Sequence, residues 1–203
     1  MLIPHTQLKP ETLDDLLTDF VTRVGTYGDA TTIDERKSQL LSQLESEQAF
    51  ITYNYEHQQP CLVARHQVSE SAIRDFKVIK QALLDEVAEE AAEREAMTEF
   101  LDLHRKLSED GVFPIDLGRT VMSGATGALL QAGKVRLDQL QDLLYRHSKG
   151  DYGLVPWTDK LSNLKSIATK DYMLSRYEIS GVHLYVEMLA DWPQTMVMLV
   201  SER

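Results

Sequence analysis

The segment from Ser69 to Asp110 contains no glycine or proline and is predicted to form a single long helix. It is rich in alanine, leucine, glutamate and lysine, the residues that cost a helix least. Ser69 is placed to cap its start, because a serine side chain accepts hydrogen bonds from the free N–H groups of the first turn. Gly111 follows its end, where glycine tolerates the left-handed conformation that closes a helix. We expect this acidic helix to connect two smaller modules.

Apolar residues recur along the acidic helix at alternating spacings of three and four, the pattern of a helix–helix seam. The predicted seam consists of Ile73, Phe76, Leu83, Val87, Met97, Leu101 and His104. Lys80, Glu90 and Arg94 interrupt it, so it is apolar at both ends and polar in the middle. Each end is expected to pack on its own module. Apolar stripes that one module leaves uncovered also predict a homodimer.

The first 68 residues predict two helices followed by a β-hairpin. Pro10 sits at the opening turn of the first helix, and Thr32 with Glu35 forms the capping box of the second. The residues between these helices, Gly25 to Asp29, have the composition of a turn. Strand-forming runs then flank a polar turn that ends at Pro60. These runs are 49–55 and 61–64.

Residues 111–203 predict a second module of helices followed by strands. An extended entry segment is expected at 113–121. Three short helices are predicted at 123–133, 137–147 and 158–170. A three-stranded antiparallel meander follows, with strands at 172–179, 182–189 and 195–200.

The predicted fold class is therefore α+β, with a module at 1–68, the acidic helix at 69–110 and a module at 111–203. No apolar run is long enough to span a membrane, and the N-terminus lacks the basic and apolar regions of a signal peptide. The single cysteine, Cys61, excludes an internal disulfide and a cysteine-rich zinc site. A reducing, cytoplasmic setting is expected.

The net charge of −11 lies entirely in the first module and the acidic helix. Residues 1–68 contain ten acids and five bases, residues 69–110 contain twelve and six, and residues 111–203 contain ten of each. This excess of acids opposes binding to nucleic acid, which depends on Lys and Arg to replace counterions. It favours solubility or attraction to a basic protein partner.

Seven acids stand against one base, Arg94, within fifteen residues of the acidic helix. They are Asp85, Glu86, Glu89, Glu90, Glu93, Glu95 and Glu99. Most charge runs of this kind are simply solvated helix faces. The functional alternative is a partner-binding surface, in which acids repeating about every 5.4 Å along the helix imitate the phosphates of a nucleic acid.

A second candidate site is the polar cluster of Arg146, His147, Asp151 and Tyr152. A histidine near an aspartate can act as a general base. The structural alternative, which we favour, is that Asp151 caps a turn and that His147 closes the C-terminus of a helix, where a partial positive charge is favourable. No serine elbow or phosphate-binding loop accompanies the cluster, and the six histidines lack metal-binding spacing. We expect no catalytic residue, metal or cofactor.

The first module resembles a known family. MLIPHTQLKPETLDDLLTDFVTRVGTYG and AFITYNYEHQQPCLVARHQ are similar to the small, uncharacterised bacterial YheU-like family. The matching positions are Ile3, Pro4, Pro10, Glu11, Thr12, Leu13, Phe20, Val21, Arg23, Gly25, Thr26, Tyr27 and Gly28. His5 and Val24 depart from the Trp and Glu that the family usually has there. The resemblance implies a small α+β fold and no established activity.

Residues 113–200 resemble, more loosely, small uncharacterised proteins carried on plasmids and other mobile elements. Those proteins share an R-H-x-x-G-D-W-G core, and Arg146 to Gly153 reproduces it with Tyr152 in place of the Trp. The resemblance implies a mobile-element context and no established chemistry.

These observations predict a non-enzymatic binding protein of a phage or plasmid. It is expected to bind a protein partner, host or element-encoded, and to inhibit a host defence complex through its acidic surface. The alternative is a nucleic-acid-binding accessory or regulatory factor that uses the bases of the C-terminal half. Those bases are Lys134, Arg136, Arg146, Lys149, Lys160, Lys165 and Lys170. An enzyme built on His147 and Asp151 is the least favoured class.

Overall fold

A computed structural model describes residues 1–24, 31–54 and 59–203 of the protein. The chain divides into two compact units, Met1–Val87 and Ala88–Arg203. Each unit combines helices with a β-sheet, so the predicted α+β class is confirmed. No helix formed by the described residues has the length and apolar character needed to cross a membrane.

The first unit contains two helices, a three-stranded antiparallel sheet in the order β1-β2-β3, and the beginning of a third helix. Its elements are β1 (Leu2–Ile3), α1 (Pro10–Val24), α2 (Ile33–Glu45), β2 (Ala49–Asn54), β3 (Gln59–Ala64) and the first part of α3 (Glu70–Glu109). The two predicted helices and the hairpin are confirmed. Strand β1 carries no sequence signal, because two residues are too few to show a period.

Local side chains set the helix ends of this unit. Pro10 is the first residue of α1, as predicted. The Thr32 hydroxyl accepts from the N–H of Glu35 at 3.3 Å, and the Glu35 carboxylate accepts from the N–H of Thr32 at 2.8 Å, which confirms the capping box. The predicted turn at 25–29 and the last residue of the strand predicted at 49–55 lie outside the described residues.

Pro60 lies within β3, opposite Tyr53, and not in the turn where it was expected. β3 is an edge strand of the sheet. An edge strand tolerates proline because one side of its backbone has no strand to pair with.

Strand β2 is buried on both of its faces. On one face it forms a core with α1 and α2 that contains Leu16, Leu17, Leu44, Ala49 and Ile51. On the other face Phe50 packs against Ile73 and Phe76 of α3. The rings of Phe50 and Phe76 meet edge to face, with centroids 5.0 Å apart. The start of α3 is therefore part of the first core, beyond residue 68 where the first module was expected to end.

Helix α3 is continuous from Glu70 to Glu109, as the sequence predicts. The Ser69 hydroxyl accepts from the N–H of Ala72 at 3.3 Å and caps the start. At the other end Gly111 has a φ of +70°, and the N–H of Val112 donates to the carbonyl of Leu107 at 3.0 Å, the hydrogen bond of a Schellman motif. The division between the two units falls inside α3, after residue 87, and not at residues 68 and 110.

The second unit packs helices on a four-stranded sheet in the order β4-β7-β6-β5. Besides the rest of α3, its elements are β4 (Arg119–Met122), α4 (Gly124–Gln131), α5 (Leu137–Ser148), α6 (Trp157–Thr169), β5 (Met173–Ile179), β6 (Val182–Met188) and β7 (Gln194–Leu199). Strands β5, β6 and β7 form the predicted antiparallel meander. The extended segment expected at 113–121 becomes a strand only at β4, which pairs in parallel with β7. No local signal reveals that pairing, because the two strands are far apart in sequence.

The C-terminal part of α3 packs on the second unit through Ala96 and Phe100, which share a core with Met173 and Met188. Leu103 and Leu107 continue this stripe. The predicted seam is therefore wrong at Met97 and Leu101, which are exposed, and also at Val87 in the first unit, which is 61% exposed. It is correct at Ile73 and Phe76. The face of the helix that is buried depends on the partner it packs on, which the spacing of apolar residues does not specify.

Side chains and a loop close the free edge of β5. The Asn163 amide donates to the carbonyl of Leu174 at 2.8 Å, and its oxygen accepts from the N–H of Leu174 at 3.1 Å. Further along the strand, Gly153 forms a bridge with Arg176. A Cβ at Gly153 would collide with the carbonyl oxygen of Arg176, so only glycine fits there. This bridge fixes the residues around Asp151 beside the sheet.

The packing of Phe76 and Ile73 on Phe50 predicts where the first unit can be cut. A fragment of residues 1–87 should be folded, whereas a fragment of residues 1–68 should be much less stable, because its Phe50 would be exposed. In the full chain Phe76→Ala should lower the free energy of unfolding of this unit by about 3–5 kcal/mol. Urea denaturation followed by circular dichroism measures both effects. Val78→Ala is the control, since Val78 is exposed; equal stability of the two fragments would show the boundary to be wrong.

Candidate functional site

Most of the acids predicted to bind a partner are exposed along α3. Four of their carboxylates make no ion pair or hydrogen bond with any residue that the structure describes, and these belong to Glu86, Glu89, Glu90 and Glu95. Asp85 accepts a hydrogen bond from Gln81 at 2.8 Å, and Glu99 pairs with Lys165 at 2.8 Å. Both of these contacts are solvent-exposed, and such contacts contribute little to stability.

The exposed acids of the second unit surround α3 and do not form a single line along it. Successive residues of a helix are about 100° apart. Measured from Glu89, the side chain of Glu90 therefore leaves the axis about 100° further round, and that of Glu95 about 240° further round. Carboxylates in such different directions give a negative field on most sides of the helix. This arrangement favours general attraction of a basic partner over imitation of one nucleic-acid strand.

Glu93 has a structural role, because it caps the start of α6. Its carboxylate accepts from the hydroxyl of Thr158 at 2.6 Å and from the N–H groups of Thr158 and Trp157 at 3.0 and 2.6 Å. These hydrogen bonds hold the pKa of Glu93 below its usual value. The cap position of α6 is Pro156, which has no side chain that could accept them. That proline is the only signal in the sequence, since the acceptor lies 64 residues away.

The structure divides the predicted polar cluster between the surface and the core. Arg146 donates from Nε to Asp151 at 2.7 Å, and the other oxygen of Asp151 accepts from the N–H of Gly153 at 3.0 Å. Burial opposes ionisation of Asp151, but these hydrogen bonds hold its pKa below the usual value. Asp151 thus caps a turn. His147 and Tyr152, by contrast, have no exposed surface.

His147 is a neutral core residue with a defined tautomer. Its Nε2 lies 3.1 Å from the sulfur of Met188, and its Nδ1 shares a hydrogen bond with the hydroxyl of Ser175. A thioether can only accept, so Nε2 carries the proton and Nδ1 accepts from Ser175. Burial lowers the pKa of His147 to about 4. His147 lies in the last turn of α5, as expected, but it brings no positive charge to the end of the helix, because burial disfavours the charged form.

Tyr152 fills the core beside His147, with ring centroids 5.4 Å apart, and also contacts Phe100 edge to face. Its hydroxyl has no hydrogen-bond partner among the described residues, and burial raises its pKa. Tyr152 therefore acts through its ring, as a large aromatic residue of the core.

Several bases that could bind nucleic acid already form ion pairs or cation–π contacts within the protein. Arg136 pairs with Asp138 at 2.6 Å, and Lys165 and Arg146 are paired as described above. The ammonium of Lys160 lies 4.2 Å from the ring centroid of Trp157. A groove of about 430 Å³ beside Arg146 is lined by charges of both signs. Within the described part of the chain, no group of three His, Cys, Asp or Glu residues could hold a metal ion.

The burial of His147 predicts a stability loss in mild acid. The unfolded chain binds a proton at His147 near pH 6.5, and the folded chain only near pH 4. Stability from this residue is therefore fully present above about pH 6.5, is lost as the pH falls toward 4, and amounts to roughly 3 kcal/mol. Urea denaturation across this range should show a steeper decline for the parent than for His147→Gln. Parallel curves would contradict a buried, neutral histidine.

Because Glu93 caps α6, we predict that the seven acids contribute differently to the stability of the protein. Glu93→Ala should lower the thermal midpoint of the second unit by roughly a few degrees, because three donors at the start of α6 lose their acceptor. Glu89→Ala, on the same helix, should leave it unchanged. Differential scanning calorimetry measures both variants; a shift of equal size in each would mean that Glu93 has no special role.

Comparison with known proteins identifies relatives of the first third of the chain. Residues 1–67 match the family described as "Uncharacterised protein family (UPF0270)". A UPF0270 protein of Pseudomonas putida (strain F1) is 48% identical over 69 residues, which are 34% of this chain and 92% of the relative. One from Pseudomonas aeruginosa (strain LESB58) is 43% identical over 76 residues, 37% of this chain and all of the relative. One from Pseudomonas savastanoi pv. phaseolicola is 45% identical over 69 residues, 34% of this chain and 92% of the relative.

The family match spans strands β1, β2 and β3 and helices α1 and α2. The YheU-like resemblance is thereby confirmed, since the two names denote the same family. The looser resemblance of residues 113–200 to mobile-element proteins stays a prediction. Because the chain spans nearly the whole length of relatives that are more than 40% identical to it, it belongs to the UPF0270 family.

Proposed function

We propose that the protein is a non-enzymatic binding protein that uses the exposed acidic part of α3 to attract and hold a basic protein partner. The observation that supports this most directly is the set of four exposed carboxylates that lack any partner among the described residues. Around them, residues 85–99 contain seven acids and a single base. Acids that have a structural role are expected to accept hydrogen bonds or to form ion pairs within the protein, as Glu93 does.

The physical basis is long-range attraction. A surface with charge of one sign raises the association rate of an oppositely charged partner by about 10- to 1,000-fold, and the effect falls as salt screens it. The net charge of −11 adds to the local field and disfavours partners that carry phosphates. The same field favours a partner whose contact surface is rich in Lys and Arg.

The more specific form of the proposal concerns the biological setting. In it, a cytoplasmic homodimer carried by a phage or plasmid inhibits a host defence complex. The resemblance of residues 113–200 to mobile-element proteins supports that setting. The alternative, a nucleic-acid-binding accessory factor, has less support, because its candidate bases include the engaged Arg136, Arg146 and Lys165.

Charge reversal at Glu86, Glu89 and Glu95 to Lys tests the proposal. Glu93 is kept because it caps α6, and Glu90 is also kept. Affinity capture from a bacterial lysate, followed by quantitative mass spectrometry, should show basic proteins that bind the parent and are depleted at least tenfold with the variant. With a captured protein purified, the variant should associate at least tenfold more slowly at low salt, and the difference should shrink at high salt.

A matched control reverses three exposed acids elsewhere, at Glu109, Asp142 and Glu178. It makes the same change in net charge and should leave capture and association rates close to those of the parent. If the Glu86, Glu89 and Glu95 variant binds as well as the parent does, the acids are only a solvated helix face. If both variants lose binding equally, overall charge is responsible, and the acidic part of α3 has no special role.

A further inference from the structure

The two faces of the second sheet carry different side chains. On strand β6, Leu184, Val186 and Met188 are fully buried and belong to the cores that the sheet forms with the helices of this unit. Successive side chains of a strand point to opposite faces. Tyr185 and Glu187 therefore lie on the face that points away from these cores, and both are half-buried there.

Tyr172 brings a second aromatic ring to this face. It precedes β5, is 39% exposed, and donates from its hydroxyl to the Glu187 carboxylate at 2.9 Å. Burial and this hydrogen bond raise the pKa of Tyr172 to about 12, so the phenol keeps its proton at neutral pH. The hydrogen bond holds one oxygen of Glu187 in place. The other oxygen has no partner among the residues that the structure describes.

A guanidinium group already lies over both rings. The central carbon of the Arg203 guanidinium is 5.7 Å from the ring centroid of Tyr172 and 5.8 Å from that of Tyr185. A cation within about 6 Å of a ring centroid is attracted by the negative face of the ring. Arg203 is exposed and forms no ion pair with any described residue, so the two rings are the contacts that position its charge.

We propose that Tyr172, Tyr185 and Glu187 form a binding site for an arginine side chain of a protein partner, and that Arg203 occupies this site in the free protein. The rings stack on the planar guanidinium, and the free oxygen of Glu187 accepts from its N–H groups. A lysine fits less well, because its ammonium is compact and strongly hydrated and has no plane to stack. The arginine of the partner replaces Arg203 on the rings.

The charges around the site make Glu187 essential to it. Arg176 lies opposite Tyr185 in the sheet, and its positive charge opposes the entry of a cation. The carboxylate of Glu187 offsets that repulsion. Arg203 itself is held by exposed cation–π contacts, which are weak. A partner arginine that also pairs with the Glu187 carboxylate therefore gains a charge-assisted hydrogen bond that Arg203 lacks, and it displaces Arg203.

This site does not rest on the proposed function, because none of its residues belongs to α3. The reversal of Glu86, Glu89 and Glu95 tests partner capture by the acidic helix and leaves the rings and Glu187 in place. Binding of a single blocked arginine, described next, does not involve the acidic helix. Failure of one proposal is therefore distinguishable from failure of the other.

Titration of the full chain with Nα-acetyl-L-argininamide, followed by NMR of the backbone amides, tests the inference. Arg203→Ala empties the site and should bind this probe with a dissociation constant on the order of millimolar, shifting the amides of Tyr185 and Glu187. The parent should bind it roughly fivefold more weakly, because its own side chain competes. Absence of binding to Arg203→Ala overturns the site, and equal affinity of variant and parent overturns its occupation by Arg203.

A neutral probe of the same shape tests the need for charge. Nα-acetyl-L-citrullinamide replaces the guanidinium with a urea group, so it loses both the attraction to the rings and the ion pair. It should bind Arg203→Ala at least tenfold more weakly than the arginine probe does. Equal binding of the two probes overturns a site that recognises a guanidinium.

Substitution of the site residues in the Arg203→Ala background tests their roles. Glu187→Gln keeps the size of the side chain, and Tyr172→Leu changes an exposed residue outside the strands, so circular dichroism should show both variants folded. Each should weaken binding of the arginine probe at least fivefold. Tyr145→Leu is the control, because Tyr145 is an exposed tyrosine of α5 with a single cation, Lys149, 5.8 Å from its ring centroid. A Glu187→Gln variant that binds like its background overturns the inference, and so does an equal loss in the control.

Free L-arginine separates a site for a protein side chain from a site for the amino acid. The proposed contacts reach only the guanidinium, so free L-arginine and the blocked probe should bind Arg203→Ala with similar affinity. If the free amino acid binds at least tenfold more tightly, the assignment to a protein partner is overturned.

Discussion

Burial of side chains from α3 in both hydrophobic cores is the interaction on which the two units depend. Ile73 and Phe76 close the first core over Phe50, and Ala96 and Phe100 enter the second core. Between these anchors, residues 84–92 are all exposed. A helix gains most of its stability from tertiary packing, so this exposed part relies on the anchored parts beside it. Acidic residues accumulate where the helix has no core to contact, because charge there has no desolvation cost.

The acids of α3 have different roles, although the sequence presents them as one run. Glu93 caps α6, Glu99 pairs with Lys165, Asp85 accepts a hydrogen bond from Gln81, and the other four extend into solvent. A carboxylate that accepts three hydrogen bonds is fixed in the structure and is a poor candidate for recognition. The candidate binding surface is therefore smaller than the run of seven, and it surrounds the helix.

Several polar groups in the interior of the second unit have hydrogen-bond partners, although the hydroxyl of Tyr152 has none among the described residues. His147 is held between Ser175 and Met188, one of which donates to the ring while the other accepts from it. The side-chain amide of Asn163 donates to the carbonyl of Leu174 and accepts from its N–H, so both backbone groups at this edge of the sheet are paired. Buried polar groups are tolerated when each has a partner, because an unpaired group costs free energy. The sequence R-H-x-x-G-D-Y-G thus encodes a packed turn: Arg146 and Asp151 pair outside, His147 and Tyr152 fill the core, and Gly153 permits the close approach to β5.

The sequence by itself determined the features that neighbouring residues control. Ser69 and the Thr32–Glu35 box start two helices, Gly111 ends one, and short turns separate the strands of the meander, because each involves residues a few positions apart. The tertiary structure alone decided which face of α3 is buried, that β4 pairs in parallel with β7, that His147 is neutral, and that Glu93 caps a helix 64 residues away. These depend on atoms brought together from distant parts of the chain. Spacing along one segment carries no information about which surface that segment will meet.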